Sequence, residues 1–398
     1  MKFNCHTKLD LESISKRLLI PLLLSFIFLS GCTPKDTRTV IQFASWGSKS
    51  ETDILKPIIN DFENKNPDIK IDFMHIPQNY FQKIHLLFAS NTAPDVIFIN
   101  NLYLPIYANA GLLKEFPQNS ELVKENDYYS NALKTLSYKG KLYAVPRDVS
   151  NLVIYYNKDI FDKKNVPYPK SNWNFNDFLN TSKALTDKNT FGISFEEDSL
   201  FYLPYMMSEG GGILSDDLLQ EITNTPQSQK GLNFYADLRK KYHTAPLKEE
   251  SASATMAQMF LQEKLAMHLS GRWLTPKYRE EAKFNWDIAP FPKGDKGSVV
   301  PMDASGWAIS KSSKHPQEAE KFIKFLSSKD SIEKFTQSGL IVPARKDVAN
   351  SIYFLDNKSP KNAKVFLNII ETSKPTPVSI NYKETVDKLN EKLEYLFN

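Results

Sequence analysis

From Val40 onward the chain switches between two hydrophobic periods. Val40, Ile41 and Phe43 lead into Ser45-Trp46-Gly47-Ser48, the pattern of a strand that ends in a loop. Ile54, Leu55, Ile58, Ile59 and Phe62 then share one helical face, which Ser50 to Asp53 can cap and Asn66-Pro67 stops. Ile69, Ile71 and Phe73 alternate as a strand, and Tyr80, Ile84, Leu87 and Phe88 form a second helical face. Ala93-Pro94-Asp95 introduces Val96-Ile97-Phe98-Ile99, a short run that reads as a fully buried strand. This β-α-β-α-β order predicts a parallel sheet covered by helices, with ligands at the carboxyl ends of its strands, here Ser45–Ser48 and Asn100–Tyr103.

The later pattern is less regular. Lys141 to Tyr156 reads as a strand-rich crossing, and a helix starts near Asn172 with Asn174 or Asn176 as its cap. Gly210-Gly211-Gly212 is a turn, and Gly231 to Lys241 is helical. Leu265-Ala266-Met267 and Gly271-Arg272-Trp273 predict a strand end followed by a helix start. Trp307 to Ile309 is a strand, and Pro316 to Ser327 a helix with Ala319, Phe322, Ile323 and Leu326 inward.

The N-terminus has a different character. Lys2, Lys8, Lys16 and Arg17 precede an apolar run from Leu18 to Leu29, the build of a secretory signal. That run is shorter than the roughly 20 residues a membrane span needs. It closes on Leu29-Ser30-Gly31-Cys32, which resembles the bacterial lipobox. The resemblance implies cleavage after residue 31, lipidation of Cys32 and a polar tether over 32–38. An exported body held at the membrane by lipid on Cys32, in the periplasm or extracellular space, is the expectation.

Composition narrows the function. The formal charge is +4 and basic residues are scattered, which argues against nucleic acid. The chain has Cys5 and Cys32 alone, so the exported body is expected to hold together without a disulfide. The six histidines lack metal-ligand spacing, and neither a phosphate loop nor a dinucleotide fingerprint is present. No cofactor, metal or catalytic residue is expected.

A series of short motifs carries a family resemblance. Phe62-Glu63-Asn64-Lys65-Asn66-Pro67-Asp68-Ile69-Lys70-Ile71 comes first, then Tyr80-Phe81-Gln82-Lys83 and Ala93-Pro94-Asp95-Val96. Gly140 to Pro146 and Tyr155-Tyr156-Asn157-Lys158 follow, then Leu265-Ala266-Met267, Gly271-Arg272-Trp273, Ala289 to Gly294 and Gly306 to Ser310. In this order, from about Val40 to Val348, the chain resembles family 1 extracellular solute-binding proteins, similar to maltose and glycerol-phosphate receptors of ABC importers. Glu263 departs from the pattern, standing where the family often has glycine.

The resemblance implies an α/β, two-lobe type II periplasmic binding protein fold, each lobe a sheet flanked by helices, joined by a hinge. One lobe would hold 37–147 plus 302–345, and the other 150–300 plus 346–398. Crossings at Arg147–Ser150 and Val300–Gly306 would form the hinge. The implied role is a non-enzymatic monomeric receptor that captures a sugar or oligosaccharide and hands it to a permease and its ATPases. Glycerol 3-phosphate or a related phosphoester is the alternative solute. A lipid-anchored glycoside-processing enzyme is a second alternative, and would need paired carboxylates across the cleft.

Sugars present flat apolar faces edged by hydroxyls, so aromatics and small polar groups are the candidates. Trp273 leads, because similar proteins carry a stacking Trp there. Trp46, Ser48, Asn100, Asn101 and Tyr103 follow strand ends, and Tyr80 is expected at the cleft edge. Asp148 and Ser150 fall at the crossing, where relatives contact solute. Tyr205 precedes the glycine turn, and Gly306 would offer backbone. Arg272 would fork onto a phosphate, whereas Arg147 is expected at the surface.

Overall fold

The computed structural model describes residues 37–117, 121–251 and 253–397. The expected signal, the expected lipidation site Cys32 and most of the expected tether lie outside the described residues. From Thr39 onward the described residues fold as one compact unit built on two main sheets.

The first sheet grows from the predicted parallel core. β1 (Thr39–Ser45) pairs in parallel with β2 (Ile69–His75) and β3 (Val96–Asn100). Val96, Ile97, Phe98 and Ile99 are wholly buried, as expected of a strand covered on both faces. The Lys49–Lys65 helix lays Leu55, Ile58, Ile59 and Phe62 on this sheet. Its cap is Ser48, two residues earlier than the pattern suggested, with the hydroxyl accepting from Glu51 N at 3.3 Å. Phe62 meets Phe322 of the Pro316–Leu326 helix at 5.0 Å, locking distant chain segments into one core.

A hairpin of β4 (Ser137–Tyr138) and β5 (Lys141–Leu142) precedes the crossing. β6 (Val145–Ser150) joins the first sheet, and after Asn151 β7 (Leu152–Asn157) becomes the centre of the second. There it pairs antiparallel with β8 (Met267–Gly271) and β9 (Trp286–Ala289). The chain returns as β10 (Pro301–Ile309), antiparallel to both β3 and β6, so the sheet is mixed rather than purely parallel. β11 (Val342–Pro343) completes one edge, and β12 (Lys374–Pro375) adds to the start of β10.

Strand directions follow from these pairings. β6 runs the same way as β3, so Ser45, Asn100 and Ser150 all end at one edge. The second sheet begins at that edge, because Leu152 pairs with Gly271. This register brings Trp273 to the crossing from more than a hundred residues away.

Two backbone positions explain residue choices. Glu263 adopts a left-handed φ of 59°, the conformation that makes glycine natural there. Gly306 pairs with Ile99 and Pro146 inside the first sheet, beside a bulge. A Cβ on it would sit 2.2 Å from the Val145 carbonyl oxygen. The expectation that Gly306 offers backbone to a solute is therefore corrected: its place is in the sheet interior, where only a hydrogen allows the strands to approach. Gly306→Ala is expected to cost about 2–3 kcal/mol, read as a lower urea midpoint at unchanged slope.

Candidate functional site

One wall of the site forms where β1 and β3 end. The half-buried Trp46 ring lies 4.3 Å from Phe98, 5.1 Å from Tyr80 and 5.4 Å from Phe81. Tyr103 stacks on Phe81 at 3.7 Å with planes 12° apart. Trp46 and Tyr103 thus flank Phe81 on a continuous aromatic shelf. Tyr80 supports this shelf from below: its buried hydroxyl donates to the Ala44 carbonyl at 3.1 Å and the Phe98 carbonyl at 2.8 Å. The expected cleft-edge Tyr80 is corrected to a cross-tie between strand ends. Burial pushes its phenol well up.

Small polar groups beside the shelf are already engaged. Asn100 Oδ1 accepts from Tyr103 N at 3.3 Å and shapes the turn. Asn101 is buried, donating to Asp303 Oδ1 at 2.9 Å and accepting from Ala304 N at 3.1 Å. It also borders a groove of about 740 Å³ with Lys134, Tyr138 and Lys374. Thr376 donates to the same Asp303 oxygen at 2.7 Å. Three chain segments therefore meet on one half-buried carboxylate, which desolvation holds above its ordinary value against those two donors.

Arg147 is not at the surface, contrary to expectation. Its guanidinium bonds to Glu51, and its Nε donates to Asp148 Oδ2 at 2.5 Å. The group lies over the Phe98 ring at 4.2 Å, so aromatic faces replace water around its charge. Burial alone would push it down, but Asp148 and Glu51 outweigh that and hold it above its ordinary value. Asp148, expected to meet solute, is buried in this triad. Ser150, at the end of β6, is half-buried.

A second group of candidates starts at Gly271, where β8 ends at the crossing. Trp273 is 36 % exposed, the most open of the candidate aromatics whose exposure is known. Its ring covers Gly271 so closely that a Cβ there would fall 1.8 Å from Cζ3. Glycine is thus required beneath the ring. Arg272, next in sequence, is 2 % exposed and lies against Phe354 at 4.0 Å. Tyr205 is corrected to the core: it is fully buried among Phe175, Tyr235 and Phe291. Packed aromatics on every side leave it no face for a ligand.

The structure adds residues that sequence reasoning missed. Asp198, exposed, caps the Ser199–Ser208 helix through Leu200 N at 2.8 Å. Lys383, raised mainly by its bond to Asp387, also feels Tyr103 and Asp198. Tyr382 beside it, its phenol pushed up by burial, feels Asp303. Asp198, Tyr382 and Lys383 therefore gather near Tyr103 and Asp303. The available signal was the acidic run Glu196-Glu197-Asp198 ahead of an apolar segment, a helix-start pattern.

Among the described residues, no group of three or more His, Cys, Asp or Glu could hold a metal ion, and no helix is long and apolar enough to cross a membrane. An aromatic shelf and an exposed Trp, both placed just after strand ends near the crossing, with carboxylate, amine and hydroxyl groups close to the shelf, are suited to a flat, hydroxyl-rich molecule.

Residues 57–365 match the family model described as bacterial extracellular solute-binding protein. The galactooligosaccharide-binding protein of Bacillus subtilis is 23% identical over 366 residues, covering 88% of this chain and 84% of that protein. An ABC substrate-binding protein of Listeria monocytogenes, solved with cycloalternan, superposes with TM-score 0.83 at 25% identity, over 91% of this chain and 94% of that one. UgpB of Mycobacterium tuberculosis, solved with glycerophosphocholine, gives TM-score 0.75 at 18% identity, over 89% and 98%.

Removing Arg147 strands two buried carboxylates, so Arg147→Ala is expected to lose about 3–5 kcal/mol in denaturant unfolding. Asp303 gives a pH signature. A carboxyl raised by folding adds stability below its ordinary value, and that stability is lost as pH rises through the raised value. Asp303→Asn keeps an oxygen for both donors and removes the charge. It is expected to melt above the wild type at neutral pH and to converge with it toward about pH 4, measured by thermal scans across pH.

Proposed function

We infer the role of this chain from its family: it belongs to the bacterial extracellular solute-binding proteins, and its fold is the two-lobe type II binding-protein fold. It is the substrate-binding protein of an ABC importer, holding a sugar or oligosaccharide between its lobes and delivering it to a membrane permease. The observation that carries the sugar reading is the exposed Trp273, set just after the strand that meets the crossing, together with the Trp46–Phe81–Tyr103 shelf at the strand ends of the first sheet. Aromatic faces match the apolar faces of pyranose rings, and Ser150 and Asp198 can meet the hydroxyls.

The lobes are proposed as 37–147 with 302–345, and 150–300 with 346–398, hinged at Arg147–Ser150 and Val300–Gly306. A solute touching both walls favours the closed form. Moving a population from 1:99 to 99:1 takes about 5.5 kcal/mol of differential binding, within the roughly 8 kcal/mol of a micromolar ligand. The lipidated Cys32 would keep this exported, monomeric receptor beside its permease and ATPases.

A neutral sugar is favoured over a phosphoester. Arg147 is already neutralised by Glu51 and Asp148, and Arg272 is buried against Phe354 rather than facing outward with Trp273. Turnover is not expected. The Asp303 carboxylate is committed to Asn101 and Thr376, and that of Asp198 to a helix cap.

The test is intrinsic fluorescence of the lipid-free body titrated with maltose, trehalose, xylo-oligosaccharides, simple hexoses and glycerol 3-phosphate. One neutral sugar is expected to give a saturable change, and Trp273→Ala to weaken it about 10- to 100-fold. A response to glycerol 3-phosphate alone would overturn the sugar reading.

A further inference from the structure

Arg272 is the least satisfied charge among the described residues. Its Nε, Nη1 and Nη2 have no hydrogen-bond partner among those residues, although the side chain is 2 % exposed. Burial lowers its pKa to about 10, so it stays charged at neutral pH. The guanidinium carbon lies over the Phe354 ring at 4.0 Å, with the Phe366 ring at 5.4 Å. Aromatic faces attract a desolvated cation but offer its N–H groups no acceptor. Nearby oxygens are engaged: the Tyr155 hydroxyl with the Gly271 carbonyl and Thr275, and Asp356 with Arg279.

One buried acceptor close by also lacks a partner among the described residues, Asn151 Oδ1. Asn151 is the single residue between the two sheets. Its Nδ2 donates to the Phe366 carbonyl at 3.0 Å, so it borders the same phenylalanine as Arg272. The β7–β8 register pairs Leu152 with Gly271, which sets Asn151 and Arg272 opposite each other one step further on. An unpaired donor cation and an unpaired acceptor thus both lie at the crossing, the cation next to Trp273 in the chain. Each such group is costly alone, and a charge-assisted bond between them would remove both costs.

We propose that Arg272 is a positioning residue for solute binding, which holds Trp273 in place and donates to Asn151 Oδ1 when the walls close on a solute. The inference rests on the solute-receptor reading above. The bond is made in the loaded arrangement and not in the one described, so it adds stability to the loaded form alone. Solute stacking on Trp273 and movement at Asn151 are then one coupled event.

The test uses Arg272→Met, Arg272→Lys, Asn151→Ala and the Arg272→Met/Asn151→Ala double variant of the lipid-free body. Replacing an unpaired buried charge by an apolar stem leaves stability equal or higher. Arg272→Met is therefore expected to melt no lower than wild type, yet to shift Trp emission and weaken the sugar bound by wild type at least about tenfold. Arg272→Lys keeps the charge and is expected to recover part of that loss. Asn151→Ala is expected to weaken binding too, and the double variant to be no worse than Arg272→Met. A lowered melting temperature with unchanged affinity, or fully additive losses in the cycle, would overturn the proposal. If wild type binds nothing in the panel, the sugar reading fails separately. The emission of solute-free Arg272→Met then decides the positioning role, and an unchanged spectrum overturns it.

Discussion

The architecture depends on a strand shared between two sheets. β6 and β7 are consecutive extended segments separated by Asn151, one laddered into the first sheet and the other into the second. Ser150 pairs with Asp303 on one side, and Leu152 with Gly271 on the other. Because ladder register moves in steps of a residue, these two pairings leave little freedom for where the second sheet starts. Everything proposed for the site follows from that placement. The aromatic shelf stands at the strand ends of the first sheet, and Trp273 leaves the second sheet where the chain has just crossed.

Charge near this crossing is handled in three ways. Arg147 is matched by two carboxylates and an aromatic face. Asp303 is uncharged-partner bound, accepting from an amide and a hydroxyl. Arg272 has aromatic faces without acceptors among the described residues. The first is self-contained and rigid, the second joins three distant segments, and the third is left able to form a new bond. Polar groups at such a junction specify arrangement more than they add stability, since an apolar filling would hold the lobes equally well.

Much of the fold was legible in the chain. Alternating and 3.6-residue patterns located β1, β2 and the helices between the strands, because one-sided burial forces those periods, and β3 showed as a continuous apolar run because both its faces are covered. The ordered motifs located the lobes' shared plan. The Ser199–Ser208 helix escaped, being apolar nearly all round with a proline inside, so no face stood out. Of the candidate site, the sequence made legible where some residues stand in the fold. Trp46, Tyr103 and Trp273 follow strand ends, where side chains project from a sheet. Tyr80, Tyr205, Asp148 and Gly306 carry suitable chemistry but are consumed by packing, ion pairing or strand approach, which depend on neighbours far along the chain.

The sequence by itself determined most of the strands and helices around the first sheet and which family the motifs resemble. These are local properties, set by the spacing of apolar residues and by short ordered patterns. Tertiary structure decided which polar groups are free. Arg147 finds Glu51 nearly a hundred positions away, Asn101 finds Asp303 two hundred away, and Arg272 finds only phenylalanine rings. Whether a side chain binds a solute or its own protein depends on what the fold brings within about 3 Å of it, and sequence spacing does not carry that distance.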